Sequence, residues 1–168
     1  MNFKRLLCLA LTLTTICCAG LTSCGDSDKD NSSKTENTAA SVTVDVISVA
    51  DKLKDEIEYK DTLNELSSDM VQKLFGLAAD TDYVKGKVYV GSGGATAEEI
   101  ACFEAKDSDS AAKIKTAMEI RIDSQKKAFE NYQPQEMTKL NSPVLVVKDN
   151  YVMMCISDDN LKAEEIIG

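Results

Sequence analysis

From Leu6 to Gly25 the chain carries no charged residue, and from Gly25 to Ser41 it carries no large apolar one. The first stretch suits a membrane-directed leader, and the second cannot bury enough apolar surface to fold. Compact structure must therefore come from residues 42–168, a length that suits a single domain.

Lys4 and Arg5 form a short basic region, Leu6 to Ala19 an uncharged run rich in Leu, Thr and Cys, and Gly20 to Ser23 a small-residue stretch ahead of Cys24. Leu21-Thr22-Ser23-Cys24 reads as a bacterial lipobox, which makes residues 1–23 a lipoprotein signal peptide. In this reading the Cys24 thiol takes a diacylglyceryl group, and cleavage frees its amine for a further acyl chain such as palmitate. Two or more acyl chains hold a protein stably on a bilayer, at about 0.8 kcal/mol per buried methylene. The competing reading is an uncleaved membrane-spanning helix, because the run is nearly long enough to span. Its Thr, Ser and Gly content and its acidic C-terminal flank argue against that. The expected location is the outer face of the cell membrane, with the bilayer as a partner through Cys24. Residues 24–41 then provide the lipid-bearing Cys and a polar tether spanning about 20–25 Å as a random coil.

Asp26, Asp28 and Asp30 in that tether have the spacing that opens a calcium-binding loop. Asn31 stands where the loop needs Gly for a sharp turn, and Asn37 where it needs a bidentate Glu, so no metal is expected there.

The charge balance, 19 basic against 28 acidic residues, disfavours nucleic acid as a partner, since phosphate neutralisation requires a basic patch. Signal-peptide removal takes two of the basic residues and none of the acidic ones, leaving −11 on the mature chain. The sequence contains no His, which excludes Ser-His-Asp and Cys-His catalysis and His metal sites. No cofactor motif is present either.

Helical spacing of Val46, Val49, Ala50, Leu53 and Ile57 predicts a helix over Asp45–Ile57, and a second is predicted over Asp69–Leu77. Lys87–Val90 and Ile100–Ala105 read as a hairpin through Gly91-Ser92-Gly93-Gly94. A long helix follows over Asp109–Tyr132, then a second hairpin of Val144–Lys148 and Tyr151–Ile156 around Asp149-Asn150. Ser157-Asp158-Asp159 can cap a last helix to Ile167. The order ααββαββα predicts an α+β fold in which two antiparallel hairpins form a four-stranded sheet packed against the long helix.

The Gly91–Gly94 loop lacks the endings of a P-loop or dinucleotide fingerprint and joins strand to strand, so it reads as a turn needing positive φ. Cys102 and Cys155 fall in strands in a disulfide-permissive compartment. They read as separate buried thiols, without the activating neighbours a catalytic thiol needs. On the long helix, Ile114, Met118, Ile122, Gln125, Phe129 and Tyr132 form a core-facing stripe. Gln125 is its polar member and Arg121 lies one turn before it. Arg121, Gln125, Tyr132 and Glu104 are the candidate binding residues, with Glu104 as the expected partner of Arg121. The alternative is a satisfied structural network, which the residue types favour. No catalytic residue is assigned.

The run Gly94-Ala95-Thr96-Ala97-Glu98-Glu99-Ile100-Ala101-Cys102-Phe103-Glu104-Ala105-Lys106-Asp107 resembles a segment of a bacterial lipoprotein family, domain of unknown function 4358. Arg121, Gln125, Phe129, Tyr132, Pro134, Leu140 and the hairpin Val144–Ile156 continue the likeness, over roughly residues 42–167. Cys102 and Cys155 stand where the family would have apolar residues, which speaks against a family disulfide. The resemblance implies a Gram-positive bacterium and an accessory part in modifying an extracellular polysaccharide, and it brings no catalytic residues.

The expected function is thus a membrane-anchored, non-enzymatic extracytoplasmic binding or accessory module, its partner a cell-envelope protein or glycan. The alternatives are an accessory of polysaccharide modification with weak carboxylate-based activity, or a small solute-binding or sensory lipoprotein.

Overall fold

A computed structural model describes residues 43–168. The expected signal peptide, Cys24, the expected tether and the Asp26–Asp30 triplet lie outside the described residues.

The domain is α+β. Its elements run α1 (Val46–Glu56), β1 (Leu63–Glu65), α2 (Ser68–Phe75), β2 (Tyr83–Gly91), β3 (Glu99–Ala105), α3 (Ser108–Tyr132), a 3₁₀ turn (Pro134–Glu136), α4 (Met137–Asn141), β4 (Val144–Lys148), β5 (Tyr151–Ile156) and α5 (Asn160–Ile167). The strands form one sheet in the order β1-β2-β3-β5-β4, with every neighbouring pair antiparallel. The four-stranded expectation is corrected to five. The added edge, β1, is three residues long with Leu63 alone apolar, too short for any alternation to show. Its pairing is supplied by β2, whose Tyr89, Val90 and Gly91 register against Glu65, Asn64 and Leu63. The 3₁₀ turn and α4 were also absent from the expected order. Pro134 sets the φ of that turn and holds the chain close to the end of α3.

Helices cover both faces of the sheet. On one side Ala101, Phe103, Val152, Met154 and Ile156 meet Val71 and Phe75 of α2 and Ala111, Ile114, Met118 and Ile122 of α3. On the other, Ile100, Cys102, Met153 and Cys155 meet Val46, Ala50 and Leu53 of α1 and Ala163 and Ile167 of α5. The central strands β3 and β5 are therefore buried on both faces, which explains their nearly unbroken apolar sequence.

A register shift between Tyr83 and Lys85 changes the facing parity of β2. Gly86 comes to lie opposite Phe103, whose ring crosses the space a side chain would fill, with Tyr83 packed at 4.9 Å between ring centroids.

Local signals set the helix ends. Ser67 caps α2, whose C-terminus closes on Gly76 at φ 69°. Asp107 and Asp159 accept from Ser110 N and Lys162 N at the starts of α3 and α5. Asp149, at φ 52°, occupies the first turn position between β4 and β5, where a primed two-residue turn needs positive φ. Among the described residues no helix is long and apolar enough to cross a membrane.

Candidate functional site

Chemistry-bearing side chains concentrate at the start of β3. Glu98 and Glu99 stand next to each other in sequence immediately before an apolar run, and both are buried. The Glu99 carboxylate faces α3. Arg121 Nη2 donates to its Oε2 at 2.7 Å, Arg121 Nε lies at 3.0 and 3.2 Å from its two oxygens, and Gln125 Nε2 donates at 2.6 Å. Burial outweighs these partners and holds the Glu99 pKa above its ordinary value.

Glu98 turns elsewhere. It accepts from the backbone N–H groups of Lys60 and Asp61 at 3.0 and 3.1 Å, and from Lys139 Nζ at 2.8 Å. Lys139 also lies 2.9 Å from Glu136 and 3.5 Å from Asp158. Glu136 in turn accepts from Ala97 N at 2.9 Å. Burial works against the Lys139 charge, but hydrogen bonds from Lys139 to Glu98 and Glu136 outweigh it and raise the pKa of the ammonium. Asp158, half exposed, closes the cluster toward solvent through Lys60 at 2.8 Å.

The Gly91–Gly94 loop is fixed by the same neighbourhood. Asp61 accepts from Ser92 Oγ at 2.9 Å and Gly93 N at 2.6 Å, and Gly94 adopts φ 67°. This is the positive-φ turn read from the sequence. Its N–H groups serve an internal carboxylate.

Of the expected binding residues, Arg121 and Gln125 do meet. Their acidic partner is Glu99, which corrects the expectation of Glu104. Glu104 faces the opposite side of the sheet and pairs with Lys85 at 3.3 Å. The cause is strand alternation. Glu99, Ala101 and Phe103 share the face toward α3, whereas Glu104 follows Ile100 and Cys102. Tyr132 leaves the cluster as well, 64% exposed and with its ring centroid 6.4 Å from that of Phe129.

Sequence reasoning missed Glu98, Glu136 and Lys139 as a group. Tandem carboxylates abutting a buried strand were the available signal, while the 41-residue separation of Lys139 from Glu98 left nothing local to read.

Cys102 and Cys155 are free and buried. They register against Met153 and Ile100, which places them diagonally on adjacent strands. Burial pushes both thiols above their ordinary pKa, and Tyr59 Oη lies 3.6 Å from Cys155 Sγ. No group of His, Cys, Asp and Glu with the disposition of a metal site occurs among the described residues.

The profile of a family described as Domain of unknown function (DUF4358) matches residues 55–157, which include Glu98, Glu99, Arg121, Gln125, Glu136 and Lys139. The chain belongs to this family. No curated protein and no solved structure matches it. The DUF4358 match contains all five strands and α2 to α4, so the two-sided sheet and its buried ionic layer lie within the family domain, while most of α1 and all of α5 extend beyond it.

Proposed function

We propose that this chain is a lipid-anchored, non-enzymatic binding or accessory module on the outer face of the cytoplasmic membrane, acting on a cell-envelope protein or glycan. The observation that carries this reading is the engagement of the buried carboxylates by the fold itself. Glu98, Glu99 and Glu136 each accept from buried or backbone donors that tie one element to another. Glu98 and Glu136 are near neighbours around Lys139, yet their side chains are 1% and 3% exposed. Paired acids of a glycosidase must reach a sugar and a water, whereas this pair is closed inside the domain.

The lipobox and the polar composition of residues 25–41 support the anchored arrangement, because both precede the first described helix, α1, at Val46. A small solute-binding role is the second reading. It is favoured by an apolar groove of about 420 Å³ between α2 and α3, lined by Leu74, Phe75, Ala112, Thr116, Ala117 and Ile120.

Two measurements test the proposal. Cys24→Ser should release the protein from the membrane fraction or leave it unprocessed, and retention without a lipid label refutes the anchor. Photo-crosslinking on intact cells should trap one envelope component reproducibly, and turnover of a polysaccharide by the purified protein refutes the non-enzymatic reading.

A further inference from the structure

Among the described residues β4 is the outer strand on one side of the sheet, with β5 as its sole strand neighbour. Lys148 pairs with Tyr151 across the two-residue turn Asp149-Asn150. In such a hairpin the flanking residues exchange both backbone hydrogen bonds, and alternation ties Val146 and Val144 to β5 in the same way. The N–H and C=O groups of Leu145 and Val147 therefore point away from the sheet. Among the described residues no turn, loop or side chain bonds to them.

The usual protections of an edge stand only at the ends of this strand, with Pro143 before it and Lys148 beside the turn. The strand has no proline, no bulge and no inward charge, and Val147 is 44% exposed. Beside this edge, on the α3 face, lies a cleft of about 460 Å³ lined by Glu119, Ile122, Asp123, Lys126, Pro143 and Leu145. A strand added to β4 would direct alternate side chains into that cleft, where Ile122 and Leu145 offer apolar contact and Glu119 and Asp123 offer negative charge.

We infer that β4 is a docking edge for an extended, basic and apolar segment of a partner protein, which binds by adding a strand to the sheet. Charge selects this occupant over a second copy of the chain. The cleft lining carries two carboxylates against one ammonium and the chain without residues 1–23 carries −11, so two copies repel while a cationic segment is attracted. The inference rests on the binding-module reading above and supplies its surface and partner class.

The test uses the full lipidated protein in nanodiscs and dye-labelled nine-residue peptides of alternating Val and Lys. Fluorescence anisotropy should show saturable binding, weakened about ten-fold or more when Glu replaces Lys, and likewise when alternate backbone nitrogens are methylated. The methylated peptide keeps every charge, so equal binding of it reduces the attraction to non-specific electrostatics and overturns the proposal. Equal binding of the Glu peptide overturns the basic partner, and concentration-dependent dimerisation through β4 overturns it in favour of a second copy.

Val147→Pro removes an outward N–H that β5 does not use, so the fold should persist and peptide binding should fall. Val147→Lys, which keeps the N–H and adds a positive charge at the edge, should weaken binding while circular dichroism stays unchanged. Wild-type affinity in either folded variant refutes the edge. Failure of these peptide results leaves the crosslinking and fractionation results standing, so the two readings fall separately.

Discussion

Replacing Arg121 by Met tests whether the polar layer against α3 is scaffold. Glu99 is fully buried, and Arg121, 21% exposed, supplies its bidentate partner. Removing one member of a buried ion pair costs about 3–5 kcal/mol, because the remaining charge stays desolvated. For a domain of this size that lowers the thermal midpoint by about 11–19 °C. Gln125→Leu removes one charge-assisted bond, worth about 1.5–3 kcal/mol. It also removes the buried Gln125 Oε1, which has no partner among the described residues, and so recovers part of that loss. A net cost near 1 kcal/mol is expected. The triple variant Glu99→Leu, Arg121→Met, Gln125→Leu should regain most of the stability, since no polar group of the set is then left unmatched.

Acid supplies an independent check. The Glu99 pKa is raised in the folded state by burial. The cost of holding its charge therefore grows as pH rises above the unfolded value, and vanishes once the group is protonated. Loss of Arg121 raises that pKa further, so the deficit of Arg121→Met should shrink between about pH 7 and about pH 4. Urea melts with constant m-values read all four proteins. If Arg121→Met melts at the wild-type midpoint, or its deficit grows in acid, the ionic layer is not structural and the cluster becomes a ligand site.

Gly86→Ala should cost about 1–3 kcal/mol, because the new Cβ would lie 2.7 Å from Phe103 Cε1, and Phe103→Leu in the same chain should relieve part of the loss; a wild-type melt refutes the close approach. Asp82 accepts from Ala78 N at 2.8 Å and pairs with Lys113, and these partners depress its pKa. Its contribution is present above the unfolded value and lost as pH falls through the folded one, so Asp82→Asn should lower stability near neutrality and flatten the acid limb. Cys102 and Cys155 should resist a thiol reagent in native buffer and react together on unfolding in urea, whereas native reaction of either shows an open path to it.

Alternation and helical spacing operate within a single element, and what they govern was legible. The bounds Val144–Lys148 and Tyr151–Ile156 follow from apolar runs around a two-residue turn, and α3 follows from its stripe and the proline beyond Gln133. Burial of two unpaired thiols followed from their strand positions. The same alternation could have chosen Glu99 over Glu104, because only the former shares parity with Ala101 and Phe103. That choice required knowing which face α3 covers, and α1 and α5 cover the other. Strand β1 owes its existence to the exposed edge of β2, since three residues with one apolar side chain carry no intrinsic preference. Lys139 meets Glu98 across 41 residues, and a buried ammonium is stable there only because two carboxylates converge on it. Patterns read from the sequence thus determined elements and their apolar faces. The pairing of charges was decided by tertiary packing, because desolvation selects partners by distance in space and a linear pattern contains no such distance.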